Sequence, residues 1–210
     1  MRARRLFILP AVALTLAFAP PRAQALDAND PSGLINNLVN QAIANIKDQQ
    51  AGEADREAKF RALLEAGFDI PRISRFVLGR YWNAATDDQR QHFAGLFEDW
   101  VVRTYAMRFK DYSGQTIRVT GERPESETST VVISQFTSPN GSPPAKVEWH
   151  VRKQNDGGFK VIDVSVEGIS MALTERDEIA AVADRNGGTA AGLNQALETS
   201  IAGQNTTAAK

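Results

Sequence analysis

Lys146-Val147-Glu148-Trp149-His150-Val151-Arg152 alternates apolar with charged or polar side chains without a break. Successive side chains on a strand point to opposite faces, so this period of two sets Val147, Trp149 and Val151 on one face and the polar residues on the other. One covered and one solvated face is the pattern of an antiparallel sheet. Working upstream, Pro139-Asn140-Gly141 is a turn signal. Before it lie a strand candidate, Val131 to Phe136, and another in which Ile117 and Val119 alternate with Arg118 and Thr120. Downstream, Asn155-Asp156-Gly157-Gly158 reads as a turn into a fourth strand, Phe159 to Glu167, with Ile162, Val164 and Val166 on its inner face. Four strands joined by short turns make a meander.

Outside this block the apolar period lengthens to 3.6. Asp30-Pro31 is a cap with proline at the first helical position, and Leu34, Ile35, Leu38, Val39, Ala42, Ile43 and Ile46 follow at spacings of three and four. A second helix carries Phe60, Leu63 and Leu64 and stops near Gly67. Asp69-Ile70-Pro71 starts a third, with Ile73, Phe76, Val77 and Tyr81, closed by Trp82. Thr86 and Gln89 form a capping box for a fourth, Asp87 to Lys110, striped with Phe93, Phe97, Trp100, Val101, Tyr105 and Phe109. After the strands come helices from Thr174 to Arg185 and from Thr189 to Ile201, the latter with Leu193, Leu197 and Ile201 on one face. Helices, an antiparallel meander, then helices again define an α+β fold.

The chain opens on Arg2, Arg4 and Arg5, runs through apolar Leu6 to Phe18, and reaches Ala23-Gln24-Ala25. That is the order of a cleavable secretory signal peptide, with cleavage after Ala25. The apolar run is far shorter than the roughly 20 residues a spanning helix needs. Arg4-Arg5 is compatible with the twin-arginine route and the strong apolar run with the general secretory route. With no cysteine in the chain, the processed protein is expected to carry no lipid anchor at the cleavage site, no disulfide and no thiolate metal site. Residues 26–202 are expected to form one domain and residues 203–210 a disordered tail. Cleavage removes four arginines and no acid, which turns a net charge of −1 into about −5. An acidic domain is a poor match for a phosphate backbone, so nucleic acid is excluded as a partner.

Catalytic signatures are missing. His92 and His150 lie in no metal spacing, and both read as surface residues. No nucleophile elbow, phosphate-binding loop or dinucleotide fingerprint occurs. Asp163, on a strand between Ile162 and Val164, would be a general base if desolvated or the cap of a neighbouring loop. A base without a partner acid specifies no reaction, so no catalytic residue, cofactor or metal is assigned. What stands out instead is aromatic bulk: Phe60, Phe68, Phe76, Tyr81, Trp82, Phe93, Phe97, Trp100, Tyr105 and Phe109 fall within fifty residues. Cores and apolar pockets use the same side chains, so the pattern alone fits both.

Phe68-Asp69-Ile70-Pro71-Arg72-Ile73-Ser74-Arg75-Phe76-Val77-Leu78-Gly79-Arg80-Tyr81-Trp82 resembles the hallmark helix of the MlaC family, the periplasmic phospholipid-binding or toluene-tolerance proteins. The resemblance continues through Phe93, Phe97, Arg103-Thr104-Tyr105 and Tyr112-Ser113-Gly114-Gln115. It recurs in Asp163-Val164-Ser165-Val166-Glu167-Gly168-Ile169-Ser170, Arg176, Gly187-Gly188 and Leu193, and so spans roughly residues 30–200. It implies a fold of the nuclear-transport-factor-2 type, a curved antiparallel sheet with helices on one face and a cavity between them. It implies a monomeric carrier whose only bound group is its phospholipid cargo. That carrier would shuttle between an outer-membrane lipoprotein complex and an inner-membrane ABC transporter complex.

Helix stripes and strand alternation then nominate Phe76, Val77, Tyr81, Phe97, Trp100, Val101, Tyr105, Val147, Trp149, Val151, Val164 and Val166 for contact with lipid tails. Arg80, Arg103 and Arg108 are candidates for a lipid phosphate, or else part of a solvated face. Two alternatives remain. A hopanoid would want a wider, shorter cavity. An enzyme on the same cone-shaped fold would want a polar pair in it, near Asp163 or Tyr81.

Overall fold

A computed structural model describes residues 30–48, 52–106 and 112–208. The signal-peptide reading, Arg108 and Phe109 lie outside the described residues. Helices α1 (Pro31–Lys47), α2 (Glu53–Gly67), α3 (Ile70–Leu78) and α4 (Asp87–Ala106) precede strands β1 (Thr116–Ser126), β2 (Ser129–Thr137), β3 (Ala145–Lys153), β4 (Phe159–Val166) and β5 (Ile169–Ser170). Helices α5 (Met171–Arg185) and α6 (Ala190–Ala208) complete the order. The sheet is antiparallel in the spatial order β1-β2-β3-β4-β5. The α+β expectation stands, with one short strand more than the sequence indicated.

Local chemistry sets the helix starts. Asp30 Oδ1 accepts from Gly33 N at 2.6 Å and Asp69 Oδ1 from Arg72 N at 3.1 Å. Thr86 and Gln89 exchange bonds of 3.0 and 3.2 Å as a capping box. Ser170 Oγ accepts from Leu173 N at 3.0 Å, so α5 begins at Met171, one turn before the expected Thr174. Helical backbone in α6 continues to Ala208, where a disordered tail was expected from Gly203. The third helix ends at Leu78 and a 3-10 turn, Gly79–Tyr81, follows. Gly79 has φ +55, and a Cβ there would meet Arg176 Nε at 3.0 Å. The positive φ favours glycine, and a side chain would also have to shift the Arg176 guanidinium slightly.

In the sheet, Val147, Trp149 and Val151 pair with Val166, Val164 and Val161. A register shift between His150 and Val151 leaves Ile162 in a bulge. Val161, not Ile162, therefore takes the inner position opposite Val151 and is fully buried. The outer face is a lattice of charge. Glu148 pairs with Lys146 at 3.1 Å and Arg123 at 3.6 Å; the hydrogen bond from Lys146, and then the charge of both, hold its carboxyl below the usual range against some burial. His150, expected in solvent, is only 22% exposed at its side chain and pairs with Glu125 at 2.9 Å. His92 is on the surface as expected, 3.1 Å from Glu198.

Polar links fasten the end of α2 and the start of α3 to β4. Asp69 N donates to Val161 O at 2.9 Å, beside a single bridge between Phe68 and Val161. Lys160 Nζ donates to Glu65 O and Ala66 O at 2.8 and 2.6 Å, which places a cation on the carbonyl end of α2. Burial lowers the pKa of that ammonium.

Candidate functional site: a two-lobed apolar cavity

The first half of α1 is sealed. Leu34 and Ile35 pack on Val132, Val151 and Val161. Further along, Ala42, Ile43 and Ile46 continue the same stripe but line an open space of about 530 Å³. Leu63 of α2 and Ile117 and Phe136 of the sheet form other parts of its wall, with Tyr112 and Gln115 contributing polar groups. A second space of about 360 Å³ lies between α3, α4, the start of α5 and β4. Phe97, Val101, Tyr105, Ile73, Ile162, Val164 and Val166 line it.

Both spaces share Phe60, Leu64, Phe68 and Trp149, so they are lobes on either side of one apolar septum. Trp149 is held in the septum by a polar bond. Its Nε1–H donates to Ser134 Oγ at 2.9 Å, and Ser134 in turn donates to Val147 O at 3.4 Å. An indole N–H and a buried hydroxyl are thus satisfied together, and the ring is oriented from the floor of the sheet.

The polar groups of the second lobe are few. Asp163 is engaged on every side: Oδ2 accepts from Ser170 Oγ at 2.6 Å, and Oδ1 accepts from Val164 N at 2.8 Å and Ala172 N at 2.9 Å. It ties β4 to the start of α5, which is the capping role. Tyr105 OH donates to Glu175 Oε1 at 3.4 Å. Neither histidine lines either lobe. Among the described residues no cluster of His, Asp and Glu has a metal-holding arrangement.

Of the nominated residues, Phe97, Val101, Tyr105, Trp149, Val164 and Val166 line the cavity. The others do not. Val77 and Tyr81 belong to the sealed cluster between α3, α4, α5 and α6, and Trp100 packs against that cluster, its ring centroid 6.3 Å from Phe97. Val151 is sealed beneath α1, and Val147 is buried in the sheet without reaching either lobe. Phe76 faces outward under Arg176, 5.1 Å from guanidinium to ring centroid. Tyr81 OH donates to Asp184 Oδ1 at 2.6 Å, so its phenol is used between helices. Arg80 is bonded to both oxygens of Asp184 at 2.5 and 2.6 Å and is not available for a phosphate in the cavity. Arg103 reaches Ile201 O at 3.5 Å.

Apart from Trp149, no nominated residue lines the first lobe. Its signal was present: the α1 stripe continues for three turns past Leu34, more than the sealed contact with the sheet uses.

Comparison with known proteins agrees with this geometry. The family model for the MlaC protein matches residues 36–199. The intermembrane phospholipid transport system binding protein MlaC of Haemophilus influenzae is 30% identical over 97 residues, 45% of each chain, so less than half of that relative's length is spanned. The toluene tolerance protein ttg2D of Pseudomonas putida is 25% identical over 166 residues, 76% of each chain. Among solved structures, the phospholipid-binding protein from Ralstonia solanacearum, determined in complex with a phospholipid, superposes with a TM-score of 0.70. It is 26% identical, with 82% of this chain and 97% of that one covered. With a matched span that runs from within α1 to within α6 and takes in the meander and every residue lining the divided cavity, the chain belongs to the MlaC family.

Proposed function

We propose that the protein is a periplasmic phospholipid carrier, exported by a signal peptide cleaved after Ala25, that shuttles lipid between outer-membrane and inner-membrane transport complexes. The observation that carries this reading is the divided cavity. If a methylene fills about the volume of a water molecule, ~30 Å³, lobes of about 530 and 360 Å³ have room for roughly 18 and 12 carbons. Two acyl tails divide naturally around Trp149. A rigid fused-ring lipid does not, which favours phospholipid over a hopanoid.

The energetics suit a ferry. Burying two tails of about 16 carbons from water gains roughly 25 kcal/mol at ~0.8 per methylene. That exceeds the practical ceiling of about 20 kcal/mol for net affinity. The working reference is a bilayer, equally apolar, so the net transfer energy lies near zero and cargo can be both taken and released. Nothing in this exchange calls for a catalytic group, and Asp163, the one strand carboxylate in the cavity wall, is consumed by its bonds to α5.

The test is a native mass spectrum of the exported protein, followed by extraction and identification of what it holds. A co-purified two-tailed phospholipid is the expected result. A protein that is empty in every preparation, and takes up no phospholipid from detergent micelles, would defeat the reading.

A further inference from the structure

Among the described residues, the large apolar side chains left in solvent gather in one place. Val166 is 36% exposed, Ile169 61%, Leu173 49% and Phe76 42%. These positions are contiguous. Val166 pairs with Ile169 across β4 and β5, and Leu173 lies in the first turn of α5 immediately beyond. Arg176, one turn further along α5, stacks on Phe76 of α3. Val166 also lines the second lobe, together with Met171 and Ala172. The exposed band is therefore the outer rim of that lobe.

The charge on the band runs against the charge of the chain. Arg72 and Arg75 stand one turn apart on α3, both exposed, and Arg176 lies beside them. Arg75 rests over Trp82 at 5.5 Å and Arg176 over Phe76 at 5.1 Å. None of the three guanidinium groups has a carboxylate partner among the described residues. The nearby acids are committed: Asp69 caps α3, Asp163 holds the start of α5, and Asp184 is taken by Arg80 and Tyr81. Asp177 of α5 and Glu167, in the turn between Val166 and Ile169, are the exposed exceptions. Three arginines against these two acids leave the band net basic on a chain of net charge −1. Apolar side chains flanked by arginine are the composition that seats at a lipid–water interface, with aliphatic groups in the headgroup layer and guanidinium groups at the phosphates.

We infer that this rim is a docking surface for an anionic bilayer, against which the protein lays the mouth of its second lobe. The inference rests on the lipid-carrier reading for its purpose but not for its test. The exported protein is floated with vesicles of phosphatidylcholine containing about one-third phosphatidylglycerol, and with vesicles of phosphatidylcholine alone. Binding to the first and not the second is expected, and it should fall as salt is raised. The pair Arg72→Ser/Arg75→Ser should weaken partitioning roughly thirtyfold, at about one interfacial charge's worth per arginine. The pair Ile169→Ser/Leu173→Ser should abolish flotation. Neither pair lines a lobe, so circular dichroism and the cavity's lipid content should be unchanged. Equal binding by wild type and both variants overturns the proposal. So does a wild type that ignores both vesicles, which would assign the rim to an acidic protein partner. Retained cavity lipid without vesicle binding defeats this inference alone, and vesicle binding by a protein that never holds lipid defeats the carrier reading alone.

Discussion

Between α3, α4, α5 and α6, the side chains of Leu78, Phe93, Ile179 and Leu193 are sealed on all sides, and Phe93 and Phe97 stack with centroids 5.8 Å apart. Under α1 and α2, Ile43, Phe60 and Trp149 belong to the same residue classes and stand around empty volume. The difference is one of partners. Helices packed on helices can close ridges into grooves until no gap is left. A helix laid over a twisted sheet touches it along part of its length, so α1 is sealed at Leu34 and Ile35 and open at Ile43 and Ile46. Burial in the first region stabilises the fold, and the second leaves apolar surface uncovered.

Phe93→Ala should separate the two regions most clearly. It removes a fully buried ring from the sealed cluster and should cost about 4 kcal/mol in urea unfolding, while the protein that remains folded keeps its cavity and cargo. Phe60→Ala should do the converse. The ring already borders open volume on two sides, so about 1–2 kcal/mol is expected. The lobes would merge, and the mass of retained lipid should shift toward bulkier species. If Phe60→Ala proved as costly to folding as Phe93→Ala, the contrast between the regions would fail.

Glu65→Gln is the smallest test and concerns the outer end of α2. Burial, then the charge and hydrogen bond of Glu98, raise the Glu65 pKa. The protonated form is thus favoured in the fold. Its contribution is present below the ordinary carboxylate value and is lost as pH rises through the raised one. Glu65→Gln should therefore match wild type in acid and exceed it at neutral pH. Because Glu65 is largely exposed, the gain should be only roughly 1–2 °C in Tm.

Much of this was legible because it is local. Asp30, Asp69, Thr86 and Gln89 announce their helices through bonds to residues three positions away. The meander follows from turns between alternating segments. What escaped is set by distant partners or has no sequence signature. Phe97 and Trp100 lie on one helix stripe, yet Phe97 lines a lobe and Trp100 does not. Nothing within α4 distinguishes them. The phenol of Tyr81 is claimed by Asp184, 103 positions away. The bulge at Ile162 adds Val161 to the inner face while Ile162 still lines a lobe, and no residue type marks it. Periodicity reports which way a side chain points, whereas a cavity depends on how far away the opposite wall stands.

The two links from α2 to β4 have a bearing on assembly. The hairpins of the sheet close between segments adjacent in the chain, whereas Lys160 meets Glu65 and Ala66 across 95 and 94 positions. A chain made from its N-terminus must carry the apolar stripes of α1 and α2 without a floor until β4 has appeared. The apolar walls on α1 and α2 therefore wait, exposed, for the length of the whole four-strand meander.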